Sequence, residues 1–297
     1  MKIGLVTVLF NSNDVLPDFF SSIAVQDYTN YILYLIDNSP SIQTKELINT
    51  LQLKYKLTAI QHIENSYNYG VAAANNMGIK AAIKDGCQDQ IILNNDIVFN
   101  NTNLFTSLIN IASQSSAVVI APKVYYYNTK QIWYAGSNFI EWSCNVKHRG
   151  EFEEDIQQYE SGFTQYAPTC FVYVKKEVFT TVGFMDETYF VYVDDLDFMY
   201  RLRKLNYSIW YENSLFIDHK ISQSTGGKFS AFSVFYGVRN RIYFARKFYT
   251  LPNKIIVTLY VLASIGYHIV FLQKKIQLIP TLFKGIYKGW LLKTKTA

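Results

Sequence analysis

Strand-like and helix-like patterns alternate through the first 127 residues, and this alternation restricts the fold more than any other feature of the chain. KIGLVTVLF reads as a strand, followed by a helical pattern over Val15–Gln26. YILYLIDNS is a second strand, Lys45–Tyr55 a helix, and LTAIQHIEN a third strand. GVAAANNMGIKAAIKDG reads as a small-residue helix closed by Gly86, and QIILNND as a fourth strand. A helix over Leu104–Ala112 then leads into AVVIAPKVYYY. Such alternation predicts an α/β domain with a mostly parallel sheet covered on both faces. Ligands of these sheets bind beyond the carboxyl ends of the strands. Asn11, Asp37-Asn38-Ser39 and Asn94-Asn95-Asp96 all fall at such ends.

The last of these groups breaks its own strand pattern, because Asn-Asn-Asp interrupts the apolar run ILNNDIVF. A turn explains the interruption, since Asn and Asp hydrogen-bond their own backbone. Delivery of a carboxylate to a metal or phosphate is the other reading. From the stretch alone both readings stay open.

After Tyr127 the regularity fades. Residues 131–165 are aromatic and poorly periodic, as suits an insertion or hairpin near a site. YAPTCFVYV reads as a buried strand and Lys176–Val182 as a short helix ending at Gly183. Asp194-Asp195-Leu196-Asp197 opens a helix that later carries Arg201, Arg203 and Lys204, the charge order a helix dipole favours. In the capping reading, Asp194 is the N-cap and Asp197 follows three residues on.

The chain is 49% hydrophobic and only 17% charged, so it has the means to form a core and is not a disordered segment. Cys87, Cys144 and Cys170 show no paired spacing, which suggests neither a disulfide framework nor a zinc site and fits a reducing cytoplasm. MKIGLVTVLF lacks the length and cleavage site of a signal peptide. From His219 onward there are 13 Lys and Arg and no Asp or Glu, against 15 basic and 23 acidic residues before it. The net +5 therefore combines an acidic body with a basic tail, which points to an anionic partner for the tail.

Several pieces together resemble the family 2 glycosyltransferases, in particular the bacterial rhamnosyltransferase-like branch. They are TVLFNS, Gln26-Asp27-Tyr28, YLIDNS, NYGVAAANNMGI, ILNNDIVF, VGFMDETYFVYVDDLDFMYRL, Asp218-His219 and FYGVRNRIYFARK, over roughly residues 3 to 247. The resemblance implies a GT-A fold, that is, a Rossmann-like, mostly parallel sheet flanked by helices. It also implies inverting transfer from a nucleotide-diphospho-sugar with a divalent metal, Mn²⁺ or Mg²⁺. Asp96 matches the last acid of the family's Asp-x-Asp motif, whose first acid is here Asn94, and His219 matches a second metal-ligand position. Asp195, beside Asp194, matches the acid that acts as base. Asp37 matches the residue that accepts the N3–H of uracil or thymine, and so does not separate UDP from dTDP. Thr7, Asn11, Asn68, Gly70, Asn94 and Asn95 fall in segments that would meet the nucleotide, Gly70 allowing close backbone approach. For Asp37 a strand-end turn, for His219 a structural hydrogen bond, and for Asp195 plain capping remain alternatives. Arg239-Asn240 is open between a phosphate-binding and a structural role.

A nucleotidyltransferase would carry a Gly-rich phosphate loop after the first strand, and TVLFNSNDVL has none. A nucleic-acid partner is not expected of an acidic body without a recognised motif. A non-catalytic sugar-nucleotide-binding or membrane-associated module on the same fold is the alternative to an enzyme. The expectation is a catalytic domain over 1–247 that glycosylates a glycan or lipid-linked acceptor of cell-surface polysaccharide. The 248–297 helical tail would hold it on the anionic inner face of the cell membrane or form a homo-oligomer. Ile255–Leu272 is an uncharged run of 18 residues, and IQLIPTLFKGIYKGWLLKTK mixes lysines with large apolar side chains, as an interfacial helix does.

Overall fold

The computed structural model describes residues 1–220 and 230–294. Its first half alternates as β1 (Ile3–Leu9), α1 (Leu16–Ala24), β2 (Tyr31–Asp37), α2 (Ile42–Tyr55), β3 (Ile60–Glu64), α3 (Val71–Lys84) and β4 (Asp89–Leu93). There follow β5 (Ile97–Val98), α4 (Leu104–Gln114), β6 (Val119–Tyr126), β7 (Ile132–Tyr134), β8 (Ser137–Ile140), β9 (Asn145–His148) and β10 (Gly162–Thr164). The remainder is β11 (Phe171–Lys175), α5 (Glu177–Thr181), α6 (Asp194–Lys204), β12 (Ile209–His219), α7 (Ala231–Phe248), α8 (Leu251–Tyr267) and α9 (Ile279–Leu291).

β1 lies between β2 and β4 and runs parallel to both, and β3 extends the sheet beyond β2. On the other side β11 is antiparallel to β4 and β6, whereas β12 runs parallel to β6. Buried Ile, Leu, Val and Phe from both faces of these strands make one continuous core. The small residues of α3 explain its position. A Cβ on Gly78 would stand 2.5 Å from a methyl of Val6, so the helix lies directly on β1. Its amino end is thereby fixed above the carboxyl ends of β1 and β2. β8 and β9 form a separate hairpin within the aromatic 131–165 region.

Two local expectations change. YAPTC is buried approach chain, and the strand begins only at Phe171. Asp194 does not cap α6: Val193 occupies the N-cap in the left-handed conformation, no side chain caps the helix, and Asp194 is buried within its first turn. Its carboxyl meets the backbone amides of Asp194 and Asp195 from inside the helix instead of from the N-cap position.

Candidate active site

The main cleft opens at the carboxyl ends of β1, β2 and β4. Its walls include Asn11, Asn38, Asn68, Gly70, Asn94, Asn95 and Asp96, with Phe190, Val191 and Phe232 opposite. Asn-Asn-Asp is indeed a turn, with Asn95 and Asp96 at its bend. It also carries a carboxylate to a specific partner. β5 pairs antiparallel with the end of β12, matching Ile97 with His219, and so brings together residues that are 123 apart in sequence. Asp96 Oδ1 stands 3.1 Å from His219 Nε2.

Burial pulls the His219 pKa down, but the Cys170 sulfur beside the ring and the Asp96 carboxylate outweigh it, and the pKa is raised. His219 Nδ1 is buried without a hydrogen-bond partner. Among the described residues no three or more His, Cys, Asp or Glu side chains cluster as a complete metal cage. Asp96 lines the open cleft and the buried His219 imidazole stands behind it, a donor set that fits a cation taking its other ligands from substrate phosphates. Asn94 lines the same cleft, and its amide donates to the Cys170 carbonyl at 2.8 Å.

The other sequence-derived residues divide by access. Asn11, at φ 50°, donates its amide to Ser39 Oγ at 2.7 Å and ties the β1 and β2 ends together. Asn95 Nδ2 donates to the Val8 carbonyl and to Ser12 Oγ, both at 2.8 Å, which fixes the β4 turn to β1. Thr7 is fully buried beneath the cleft, its hydroxyl without a hydrogen-bond partner. Asp37 is also fully buried: Oδ1 accepts the Ser39 amide at 2.9 Å, and Oδ2 lies 3.2 Å from His62 Nε2. Its neighbour Asn38 is the one that lines the cleft, holding the Gly70 carbonyl at 3.2 Å and the Asn65 amide at 2.8 Å.

Asn68 Oδ1 accepts the Gly70 amide at 2.8 Å. Gly70 has φ 85°, and a Cβ there would lie 2.4 Å from the Phe190 carbonyl oxygen. The close approach that requires glycine is therefore made by the chain's own 190–193 loop. This loop is strained, with positive φ at Phe190, Tyr192 and Val193. Arg239 and Asn240 hold it from α7. Asn240, fully buried, donates Nδ2 to the carbonyls of Tyr189, Val191 and Tyr192 at 2.9, 2.6 and 2.9 Å. Arg239 Nη2 donates to those of Thr188 and Tyr189 at 2.9 and 2.6 Å. These contacts give the pair a structural role.

The loop ends at the acidic start of α6. Burial and the charge of Asp195 raise the Asp194 pKa to about 8. Burial also raises that of Asp195, opposed by the Tyr166 hydroxyl, which donates to Oδ2, and by the Leu196 amide, which donates to Oδ1 at 2.7 Å. Asp197 is anchored instead: Arg201 Nε and Lys247 Nζ reach it at 2.7 Å each and the Tyr189 hydroxyl at 2.9 Å. Lys247 also pairs with Asp186 at 2.8 Å and, against the penalty of burial, holds its pKa below the ordinary carboxylate range.

Aromatic contacts link the two acidic groups across the site. Trp133 stands edge-on to His219, its ring centroid 5.1 Å away, and lies 5.1 Å from His148. His148 stacks at 6.0 Å on Tyr166, the partner of Asp195. Burial lowers the His148 pKa to about 4, so this ring is neutral near pH 7. Trp133, His148, Tyr166 and Asn38 were not singled out in the sequence. Only Asn38 had a local signal, its place in the strand-end triplet.

Residues 5–182 match the family model for glycosyl transferase family 2. The dTDP-rhamnosyl transferase RfbF of Shigella flexneri is 26% identical over 214 residues, covering 70% of this chain and 66% of that one, just under two thirds. The low-salt glycan biosynthesis hexosyltransferase Agl10 of Haloferax volcanii is 21% identical over 300 residues, covering 96% and 90%. Among solved structures, the mannosyltransferase PcManGT from Pyrobaculum calidifontis, in complex with GDP-Man and Mn²⁺, superposes with a TM-score of 0.58 at 11% identity. That match covers 99% of this chain and 76% of the other, and the shared architecture is the GT-A fold. The family match spans well over half of the 297 residues, and the chain belongs to glycosyl transferase family 2.

Proposed function

We propose that the protein is an inverting glycosyltransferase that moves a hexosyl-type sugar from a UDP- or dTDP-sugar to a glycan or lipid-linked acceptor of cell-surface polysaccharide. The observation that carries the proposal is Asp96 on the wall of the strand-end cleft, paired at 3.1 Å with the buried His219. The names of relatives that use dTDP-rhamnose and GDP-mannose support a nucleotide-diphospho-sugar donor.

Asp96 and His219 would hold Mn²⁺ or Mg²⁺, with Asn94 as a neutral oxygen donor beside them. The cation would supply charge to offset the departing diphosphate. Asn68 and Gly70 would border the nucleotide, and Phe190 and Val191 would wall its far side. Asp37 would accept the pyrimidine N3–H, since each carboxylate oxygen keeps a lone pair beyond its contact with Ser39 or His62. Asp195 would take the proton of the attacking acceptor hydroxyl. Its burial brings its pKa up toward the range of a useful base, and Tyr166 fixes its orientation. Trp133 and neutral His148, between the metal pair and Asp195, would form the apolar floor on which the acceptor rests.

The test is to incubate the purified chain and Mn²⁺ with UDP- and dTDP-sugars, with and without candidate lipid-linked acceptors, and measure released nucleoside diphosphate. Acceptor-dependent release from one donor class is the expected result. No release from any pyrimidine donor would refute the proposed donor class.

A further inference from the structure

The tail helices leave an apolar surface that the body of the protein does not cover. Leu251–Leu272 is a helical rod of 22 residues with mean hydropathy 2.2, of which only 17% is buried. Val257, Val261 and Ile269 form its buried line. Its Tyr260 packs edge-on to Trp142, at 4.7 Å between ring centroids. Leu251, Ile255, Leu259, Tyr267 and Phe271 are exposed around the rest of its surface. α9 repeats this pattern. Gly285 and Gly289 seat it on α7, where Cβ atoms would come within 3.0 Å of Val238 and 2.7 Å of Ile242. Its outer line exposes Phe283, Tyr287 and Leu291. Exposed Lys274, Lys284, Lys288 and Lys293 border these stripes.

Apolar stripes of this size mark a partner surface, and the charge identifies the partner. No Asp or Glu occurs from His219 to the end of the chain. A second copy of the chain would set lysines against lysines. An anionic bilayer meets both features, taking the apolar stripe into the acyl boundary and the ammonium groups at the phosphates. Rod length alone would also allow α8 to cross a bilayer. However, its buried side chains and the Trp142 contact hold one flank against the body, where lipid cannot surround it.

We infer that α8 and α9 together dock the protein in the plane of an anionic membrane surface. The docking face shares α7 with the cleft. Phe232 lines the cleft, and Val238, against which Gly285 packs, lies six residues on, about 9 Å along the helix axis. Docking would bring the cleft to the lipid surface. The inference does not depend on which sugar is transferred, or on transfer at all.

Flotation of the full chain with vesicles of phosphatidylcholine, alone or mixed with phosphatidylglycerol, tests it. Four lysines at the surface predict partitioning on the order of a thousandfold stronger to the anionic vesicles. High salt should release the bound protein. The combined variant Lys274→Gln, Lys284→Gln, Lys288→Gln and Lys293→Gln should lose the preference while keeping its nucleotide binding. Leu259→Ser with Phe283→Ser should weaken binding to both vesicle types. Equal binding to neutral and anionic vesicles, or attachment that resists salt as a spanning helix does, would overturn the inference. So would absence of vesicle binding together with a concentration-dependent dimer that Phe283→Ser dissolves.

Discussion

Replacing Asn240 with Leu tests how the fold holds its catalytic loop. The substitution keeps the number and branching of the side-chain non-hydrogen atoms but removes the Nδ2 donor to the Tyr189, Val191 and Tyr192 carbonyls. Each such bond contributes about 1 kcal/mol net, and Arg239 still serves the Tyr189 carbonyl, so the expected loss of stability is about 2–3 kcal/mol. The effect on catalysis is separate. Phe190, Tyr192 and Val193 sit at positive φ, each costing ~1–3 kcal/mol, and without the clamp they can relax to ordinary backbone. Asp195 follows directly in the chain, and Phe190 contacts Gly70 at the cleft. A shift of ~1 Å in such positioning groups costs about 10²-fold in rate. Urea unfolding would measure the stability, and kcat and KM for the donor would be taken on the folded protein. Leu108→Ala, on the buried face of α4 and outside the cleft lining, supplies a control with a similar stability loss of about 2–5 kcal/mol but unchanged kcat. If Asn240→Leu behaved like that control, losing stability while turning over at the parental rate, the clamp would be merely structural and the reasoning would fail.

Two further predictions concern charge. The folded Asp194 pKa of about 8 lies above the ~3.9 of an unfolded Asp, so the folded chain keeps a proton that the unfolded chain has lost. Stability should therefore fall as pH rises through that window, and Asp194→Asn should flatten the fall in a series of melting curves. A parental melting temperature that instead rose across the window, with the variant following it, would contradict the assignment. Asp96→Ala and His219→Ala should each weaken divalent-cation-dependent binding of the nucleoside diphosphate, read by calorimetry with and without EDTA. Binding by both variants that matched the parent in each condition would remove them as metal ligands.

What could be read in the sequence was what depends on local periodicity. Alternating apolar runs specified the sheet, because buried parallel strands and amphipathic helices need different spacings. The strand-end polar groups were visible for the same reason, since only the carboxyl ends of such strands are free to carry Asn and Asp into a cleft. Contacts across the fold were not legible in this way. Asp96 and His219 meet through a two-residue strand that pairs with β12, and only the family resemblance linked them. The burial of Asp37 at the end of β2, with Oδ2 3.2 Å from His62 on β3, was likewise not written in the strand pattern. Gly70 lines the cleft as expected of its segment, but nothing in the sequence indicated that a Cβ there would also meet Phe190. Arg239-Asn240 did leave a trace, as polar residues between the apolar stretches of α7, and buried polar groups generally have a partner. Which carbonyls they held could not be inferred without the loop's left-handed turns.

The most direct test of the central claim is the Asp195→Asn variant, with donor affinity and transfer rate measured on the same preparation. Amide for carboxylate preserves shape and removes the base. The account predicts donor binding equal to the parent and a rate lower by ~10²–10⁴, with Asp194→Asn less affected. A variant that kept more than about a tenth of the parental rate would show that Asp195 is not the base.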